Sequence, residues 1–384
     1  MVVHLISKLT NYFRSRNPDS NPITPAASSE EPLKLSEYHI TDNYQSLRFF
    51  DHSSEGDLTL LRSQRTGKLL VVKHTKARPT FKPNDGLVYR VPDEAKTLLH
   101  YLPGAADHGN IITMFAAETS WEPGRCLLLM EYCSGGDLMD QYRRFTTMTP
   151  RDYEESRHLL VHGRRGRCYS PKGVAACLVP EMFLLHVFHS LVQALAFVHD
   201  EGEHEAVVHG DVKLENVLLR FPGRSGCGMP DVVLADFGAS QLAWKSRGIS
   251  GTPGYDAPEV LGVSMLEKED PGLYRRKLGE CIVTPKSDVY QLGHVIYFLA
   301  AGELWETGAH PDDLMLPEEY TTIHCRHLTT VLALCFRVKP STRPSAKELS
   351  LYVEGFREQR DLLYRERGAL PPACWATESH VPDI

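Results

Sequence analysis

The sequence lacks several features that mark particular classes of protein. Its nine cysteines include no Cys-x-x-Cys pair and no metal-like spacing, which indicates free thiols in a reducing compartment. No apolar run reaches the length that crosses a membrane, and no signal-peptide cleavage pattern follows the first residues. The formal net charge is −7, whereas nucleic-acid-binding proteins usually have a basic surface. These absences predict a soluble cytoplasmic protein with no nucleic-acid partner and leave nuclear entry open.

Composition divides the 384 residues into a polar leader, a folded domain and a tail. The leader is predicted to be flexible because residues 15–37 are rich in Pro, Ser and Asn with few large apolar groups. A polar, net basic stretch without helical or strand period is predicted to be an insertion. The predicted boundaries are 1–40 for the leader, 41–357 for the domain (41–132 for its first lobe, 133–357 for the hinge and second lobe, about 142–172 for the insertion) and 358–384 for the tail.

The first lobe is predicted to be mainly sheet, with one helix. "LTLL" and "LLVV" flank the turn "RTGK", which predicts an antiparallel hairpin. "VPDEAKTLLHYL" has its apolar residues at helical spacing, and "NIITMFAAE" and "CLLLMEYC" have the character of strands.

The second lobe is predicted to be mainly helical. "PEMFLLHVFHSLVQALAFVH" is apolar nearly all round and predicts a buried helix. "SDVYQLGHVIYFLAAG" is similar and should end at Gly302. Ser345 and Glu348 in "SAKE" form a capping box that opens a last amphipathic helix through about Gly355.

Several polar residues have the types and order that phosphoryl transfer requires: cations for nucleotide phosphates, oxygen ligands for Mg²⁺ and a carboxylate for the attacking hydroxyl. Lys73 ends an apolar strand, and Glu94, the first glutamate after it, is its natural ion-pair partner. Taken alone, a lysine after a strand is usually a solvated surface residue. The significance of this pair depends on the polar residues further along the chain.

The stretch "HGDVKLEN" places three such groups close together. Asp211 can orient a substrate hydroxyl, Lys213 can neutralise a moving phosphoryl group, and Asn216 offers an amide oxygen to a hard metal ion. Asp236 in "LADFGAS" comes directly after another apolar strand and is a second candidate metal ligand.

The order of these motifs resembles that of the eukaryotic protein kinase family. The chain has the family's motifs in the family's order: "VVK", "EAKTLL", "HGDVKLEN", "DFG" and "DAPE". The match runs from about Tyr44 to Phe356. The resemblance implies an α+β, bilobal fold with a small antiparallel-sheet lobe, one key helix and a larger helical lobe. It implies ATP as co-substrate, Mg²⁺ as cofactor and a protein hydroxyl as acceptor. Two features resemble the serine/threonine class of the family: Lys213 after the catalytic aspartate, and Thr252 in "GTPGYDAPE".

The resemblance also assigns roles to further residues. On the ATP-binding side, together with Lys73 and Glu94, it implies Gly56, Leu58, Val71, Met130, Glu131, Cys133 and Leu218. In the activation segment it implies Phe237, Gly238, Thr252 and Glu259, with His209, Asp288 and Arg343 as structural residues. His209 and Phe237 are expected to pack with Leu98 and Met114, Asp288 to steady the catalytic loop, and Arg343 to pair with Glu259.

One departure from the family pattern lies in the glycine-rich loop, here "DHSSEGDL". Gly56 is the one glycine retained, while Asp51 and Ser53 occupy the first two glycine positions. Glycine lets backbone N–H groups approach phosphates closely, and the charges of Asp51 and Glu55 oppose an anionic ligand. We expect weaker ATP binding with the chemistry retained, because this loop covers phosphates and does not react.

A second departure is Gly210, where the resemblance leads one to expect an arginine that pairs with a phosphate on the activation segment. Glycine removes that contact. The sequence therefore predicts a kinase that does not depend on phosphorylation of Ser246, Ser250 or Thr252.

Two other functions compete with this interpretation. A pseudokinase scaffold would have the same fold and a loop that excludes ATP, but it gains little from keeping the five polar residues from Lys73 to Asp236. A kinase acting on a small molecule would have no need of the peptide ledge that "GTPGYDAPE" resembles. The leading interpretation is a Ser/Thr protein kinase.

Overall fold

The structure is a computed structural model of the 384-residue chain. The residues it describes are 44–53, 56–76, 78–82, 86–119, 124–147, 168–169, 175–176, 179–200, 202–221, 229–248, 251–307, 309–316, 323–367, 369–370 and 375. The predicted leader and most of the predicted insertion lie outside these residues.

A five-stranded antiparallel sheet forms the first lobe, in the order β1-β2-β3-β7-β6. Its strands are β1 (Tyr44–Ser53), β2 (Gly56–Ser63), β3 (Leu69–Lys76), β6 (Met114–Thr119) and β7 (Arg125–Glu131). A separate ribbon joins β4 (Arg78–Lys82) to β5 (Gly86–Arg90). The predicted hairpin is confirmed as β2 and β3, and the turn between them uses Gly67 at φ +69°, a conformation that favours glycine.

The helix in the described part of this lobe begins as α-helix α1 (Asp93–Lys96) and continues as a π-helical turn over Thr97–Tyr101. The backbone N–H of Leu102 donates to Thr97 O at 2.9 Å, five residues back, which widens the turn. Ala95, Leu98 and Leu102 are buried. The helical spacing of the sequence thus predicts the buried face correctly but gives no sign of the π turn.

The second lobe is mainly helical. The helices in the described residues are α2 (Leu138–Thr147), α3 (Glu181–Val198), α4 (Pro258–Ser264), α5 (Leu266–Glu269), α6 (Pro271–Leu278), α7 (Pro285–Ala301), α8 (Ile323–Cys335) and α9 (Ala346–Arg367). Short strands pair as β8 (Cys168–Tyr169) with β9 (Ala175–Ala176), β10 (Val207–Val208) with β13 (Gln241–Leu242), and β11 (Val217–Arg220) with β12 (Asp231–Leu234).

Two buried helices form the centre of this lobe. Helix α3 is long and apolar enough to cross a membrane, but 78% of it is buried inside the protein, as expected of a core helix. Helix α7 begins with a capping box between Thr284 and Ser287 and ends at Gly302 with φ +80°. Both predicted helices and the predicted stop are confirmed.

Three segments differ from the sequence-based predictions. Helix α2 covers the first six residues of the predicted insertion. The capping box of Ser345 and Glu348 is confirmed, with their side chains and backbone N–H groups bonded at 2.7 and 3.1 Å, but helix α9 continues beyond Gly355 to Arg367. Helices α5 and α6 were not predicted, and they add a short helical segment between α4 and α7.

Candidate active site

Three charged side chains from three elements meet where the sheet faces the helical lobe. Lys73 of β3 places its Nζ 2.8 Å from Glu94 Oε2 of α1 and 2.8 Å from Asp236 Oδ1. Lys73 and Glu94 are buried, while a quarter of the Asp236 side chain is exposed. The predicted Lys73–Glu94 pair is present, and its further link to Asp236 is an addition. We call these three residues the inter-lobe ion cluster.

Burial and neighbouring charges shift the pKa values of this cluster in opposite directions. Burial by itself lowers the pKa of Lys73, but the carboxylates of Glu94 and Asp236 outweigh it and raise the pKa above its usual value. Burial raises the pKa of Glu94, and the Lys73 ammonium opposes that change. Lys73 is therefore a cation fixed between the two carboxylates.

The backbone at Asp236 adopts a conformation that is uncommon for a side-chain-bearing residue. Its φ is +59°, and it is the one non-glycine residue with positive φ among those the structure describes. The Asp236 carboxylate accepts from the backbone N–H of Gly238 while it also accepts from Lys73. Left-handed backbone at non-glycine residues costs about 1–3 kcal/mol and concentrates at functional sites.

A second group, the catalytic-loop cluster, consists of Asp211, Lys213, Asn216 and Thr252. The Thr252 hydroxyl donates to Asp211 Oδ1 at 2.8 Å and accepts from Lys213 Nζ at 2.6 Å. Lys213 Nζ also lies 2.9 Å from Asp211 Oδ2. The Asp211 carboxylate is thereby fixed in orientation beside the Lys213 ammonium.

Helix α7 holds the loop that carries this cluster. The Asp288 carboxylate accepts from the backbone N–H groups of His209 and Gly210, each at 2.8 Å. Gln291 Oε1 accepts from Val212 N at 2.9 Å, and its Nε2 donates to Gly210 O at 3.2 Å. The role predicted for Asp288 agrees with this geometry. Gln291 was missed, although a polar residue three positions after Asp288 on a mainly apolar helix is a detectable signal.

Backbone geometry explains two glycines beside the catalytic loop. Gly210 has φ +80° and Gly251 has φ +109°, and both values favour glycine. A Cβ on Gly251 would lie 2.5 Å from Gly210 O and 3.5 Å from Asp211 Oδ1. Glycine at position 210 thus suits the bend that Asp288 stabilises, as well as removing the expected arginine.

The residues predicted to line the adenine side differ in what their side chains contact. Val71 and Leu218 are half-buried, and Met130 is buried opposite Val71 in the β3–β7 register. The Glu131 carboxylate accepts from Arg220 Nη1 at 2.8 Å and from Thr113 N at 2.9 Å. Glu131 therefore has only its backbone to offer an adenine.

The remaining residues of the predicted nucleotide side are placed more simply. Cys133 is buried, and burial raises the pKa of its thiol. Leu58 is half-buried and pairs with Lys73 in the β2–β3 register, and Gly56 pairs with Ser53. The side chains of the glycine-poor loop, which prompted the prediction of weaker ATP binding, lie outside the described residues.

Two further contacts fix the activation segment at its ends. Arg343, 2% exposed, donates two hydrogen bonds to the Glu259 carboxylate at 2.8 and 2.6 Å and lies over the ring of Tyr290. The His209 and Phe237 rings pack edge to face at 4.7 Å between centroids. Phe237 shares one hydrophobic cluster with Leu98 and Met114, as expected for a column that joins the lobes.

Oxygen groups next to the two clusters fit a hard divalent cation. Asn216 Nδ2 donates to Asp211 O and Oδ2 at 2.8 and 3.0 Å, which directs its amide oxygen away from that carboxylate. Asn216 O accepts from Ala235 N at 2.9 Å, so Asp236 lies close by. Mg²⁺ typically takes one or two such protein oxygens together with substrate phosphates. Within the described part of the chain no group of three or more His, Cys, Asp or Glu forms a metal site by itself.

Comparison with known proteins gives a family match and several relatives by sequence. Residues 54–351 match the protein kinase domain family. The serine/threonine-protein kinase PEPKR2 of Arabidopsis thaliana is 28% identical over 60% of this chain and 38% of its own length. Protein kinase C eta type of Homo sapiens is 25% identical over 71% of this chain and 31% of its own length.

A third relative matches more evenly: the serine/threonine-protein kinase ppk11 of Schizosaccharomyces pombe is 24% identical over 80% of each chain. The chain spans well under two thirds of the first two relatives. The family match covers more than half of the chain, from the start of β2 into α9. The chain therefore belongs to the eukaryotic protein kinase family, and by sequence it is similar to the family's serine/threonine kinases.

Proposed function

We propose that this protein is an active Ser/Thr protein kinase that transfers the γ-phosphoryl group of Mg-ATP to protein hydroxyls. The observation that carries the proposal is the convergence of the inter-lobe ion cluster and the catalytic-loop cluster, joined by the backbone hydrogen bond from Ala235 N to Asn216 O at 2.9 Å. Residues far apart in sequence meet in the arrangement that phosphoryl transfer needs.

Each cluster has a separate part in this proposal. Lys73, held by Glu94, binds the non-transferred phosphates. Asp211 orients the acceptor hydroxyl and takes its proton, while Lys213 donates to the transferring group. Asn216 and Asp236 would hold Mg²⁺, which neutralises phosphate charge when it is bound.

We also propose that activity does not require phosphorylation of the activation segment. Gly210 has no side chain to pair with a phosphate, and the catalytic loop is already held by Asp288. Ser246 is buried, and the Thr252 hydroxyl is bonded within the catalytic-loop cluster. Gly248 N donates to Cys281 O at 3.0 Å, so the segment after helix α6 supports the activation segment without a phosphate.

A cytoplasmic location is part of the same proposal. Cys133, Cys281 and Cys335 are buried free thiols. Free thiols fit a reducing compartment.

The test is transfer of labelled γ-phosphate from Mg-ATP to a generic basic protein, by the wild type and by Asp211→Asn. We expect incorporation by the wild type and a loss of about 10²–10⁴-fold in the variant, the usual contribution of a positioned acid–base group. Thermal shift with ATP should be retained in both. No transfer and no ATP-induced shift in the wild type would favour the pseudokinase alternative.

Phosphatase treatment of the wild-type protein tests the second part of the proposal. The rate should change by less than an order of magnitude after treatment. A loss of several orders of magnitude would contradict the interpretation of Gly210.

A further inference from the structure

Two buried hydroxyls join the helix that carries Glu94 to the loop that carries Asp236. Thr97, in the π turn after α1, is 1% exposed, and Ser240, four residues after Asp236, is 5% exposed. Their Oγ1 and Oγ atoms lie 2.7 Å apart. The contact links two segments that are 143 residues apart in sequence.

The direction of this hydrogen bond is determined by a second contact. Ser240 Oγ lies 2.6 Å from the carbonyl oxygen of Phe237. A carbonyl oxygen only accepts, and a serine hydroxyl has one hydrogen, so Ser240 donates that hydrogen to Phe237. Thr97 must then donate to Ser240. The three groups form a directed chain from Thr97 through Ser240 to Phe237, which we call the hydroxyl relay.

The relay runs beside the inter-lobe ion cluster. Thr97 is three residues after Glu94, close to one helical turn, and Phe237 directly follows Asp236. Lys73 connects Glu94 and Asp236 through a third element, strand β3, whereas the relay connects their two segments directly. The relay therefore resists any movement of α1 away from the Asp236 loop, even before a nucleotide binds Lys73.

We infer that Thr97 and Ser240 are positioning residues that hold Glu94 and Asp236 in register without a phosphate on the activation segment. This inference rests on the proposed kinase function and names how its site is kept ordered. The π turn contributes, because it sets the orientation of Thr97 at the end of α1. Since both hydroxyls are buried, no water replaces a lost member of the relay.

The experiment compares Thr97→Val, Thr97→Ser, Ser240→Ala and the double variant Thr97→Val/Ser240→Ala, all after phosphatase treatment. Valine keeps the shape of threonine and removes the hydroxyl. We expect kcat to fall about 10- to 100-fold in Thr97→Val, with Thr97→Ser close to wild type, since the buried bond is retained there. The double variant should lose no more than the worse single variant, because both changes break one relay.

Thr59→Val is the matched control, since Thr59 is a buried threonine of strand β2, 6% exposed, outside the relay. It should retain the wild-type kcat. Equal loss in Thr97→Ser and Thr97→Val, or wild-type kcat in Thr97→Val, would overturn the inference while leaving the proposed kinase function intact.

Amide hydrogen exchange gives a readout that does not depend on catalysis. The amides of residues 93–101 should exchange faster in Thr97→Val than in the wild type, and the change there should exceed any change in the amides of helix α3. If the wild type transferred no phosphate, the proposed function would fail, yet this exchange would still decide the relay. Unchanged exchange in residues 93–101 would rule the relay out.

Discussion

The two polar clusters of the cleft are built in different ways. The inter-lobe ion cluster joins residues that are 21 and 163 positions apart, and it exists only because β3, α1 and the segment after β12 pack together. The catalytic-loop cluster joins residues no more than 41 positions apart, on backbone fixed by one helix, α7. The first therefore depends on how the lobes meet, and the second depends on local loop conformation. Changes in the first should affect stability and nucleotide binding, and changes in the second should affect the rate of chemistry.

The largest effect is expected for Lys73→Met. The side chains of Lys73 and Glu94 are 6% and 4% exposed, so methionine leaves two carboxylates facing each other with no cation between them. Removing one partner of a buried pair costs about 3–5 kcal/mol. Urea unfolding should show this loss, together with loss of ATP binding.

The exposed Lys68 provides the control for Lys73, because it lies over the Phe115 ring on the same lobe. Lys68→Met should cost well under 1 kcal/mol, as is usual for an exposed charge. Equal stabilities for the two variants would contradict the view that the inter-lobe ion cluster depends on burial.

Gly251→Ala tests the catalytic-loop side of the comparison. The added Cβ would lie 2.5 Å from Gly210 O, at φ +109°, so the loop that holds Asp211 must shift. We expect a destabilisation of about 2–3 kcal/mol from steric overlap and left-handed backbone, and a larger loss in kcat than in ATP affinity. Isothermal titration with ATP and steady-state kinetics separate the two.

Gly262→Ala is the matched change, since nothing lies within 4 Å of a Cβ there. It lies in α4, where alanine is the better helix former, and stability should rise slightly. If Gly251→Ala behaved like Gly262→Ala, the close approach of Gly251 to the catalytic loop would not matter for activity.

Sequence reasoning identified most residues of both clusters, because polar groups close to apolar strands are a local signal, and the resemblance to protein kinases added Thr252. Lys73 with Glu94 is an example, and the capping box of Ser345 with Glu348 is another. It did not show that Asp236 also bonds Lys73, nor that Arg220 binds the Glu131 carboxylate. Those contacts come from the packing of distant segments.

Two other features left no periodic trace in the sequence. Helices α5 and α6 are short, and most residues of α6 are exposed, so no apolar stripe marks them. The π turn at Thr97 differs from an α-helix by one hydrogen-bond register, and the apolar spacing is the same for both over so few residues. The residues that carry the chemistry could be predicted from the sequence. The irregular backbone that positions them could not.

Acid should destabilise the protein around helix α7, the helix that holds the loop of the catalytic-loop cluster. His294 of α7 is fully buried among Tyr255, Tyr290 and Phe336, and burial lowers its pKa to about 3. The unfolded chain binds a proton at this residue below about pH 6.5, whereas the folded protein does not. Stability should therefore be complete above pH 6.5 and fall by about 1.4 kcal/mol per pH unit below it, reaching a loss of about 2 kcal/mol near pH 5.

The measurement is urea unfolding between pH 7.5 and 4.5 for the wild type and for His294→Leu. Leucine does not titrate. The free energy of unfolding should therefore change less steeply with pH below pH 6.5, by about 1.4 kcal/mol per pH unit. Part of the slope should remain, because burial also lowers the pKa of His186, to about 4. Identical slopes in the two proteins would show that His294 titrates normally in the folded state.

The smallest effect is expected at Thr252, where the catalytic-loop cluster loses one hydroxyl but no charge. Thr252→Val removes the group that donates to Asp211 Oδ1 at 2.8 Å and accepts from Lys213 Nζ at 2.6 Å, while Lys213 stays 2.9 Å from Asp211 Oδ2. The carboxylate keeps its cation but gains rotational freedom, so kcat should fall about tenfold, the worth of one hydrogen bond to a charged group. ATP affinity and unfolding free energy should change little, because the inter-lobe ion cluster is untouched.

Thr252→Ser keeps the hydroxyl, and its kcat should stay within a factor of about three of the wild type. A fall in ATP affinity in Thr252→Val that matched its fall in kcat would mean that the two clusters act as one unit, and the division between binding and chemistry would have to be abandoned.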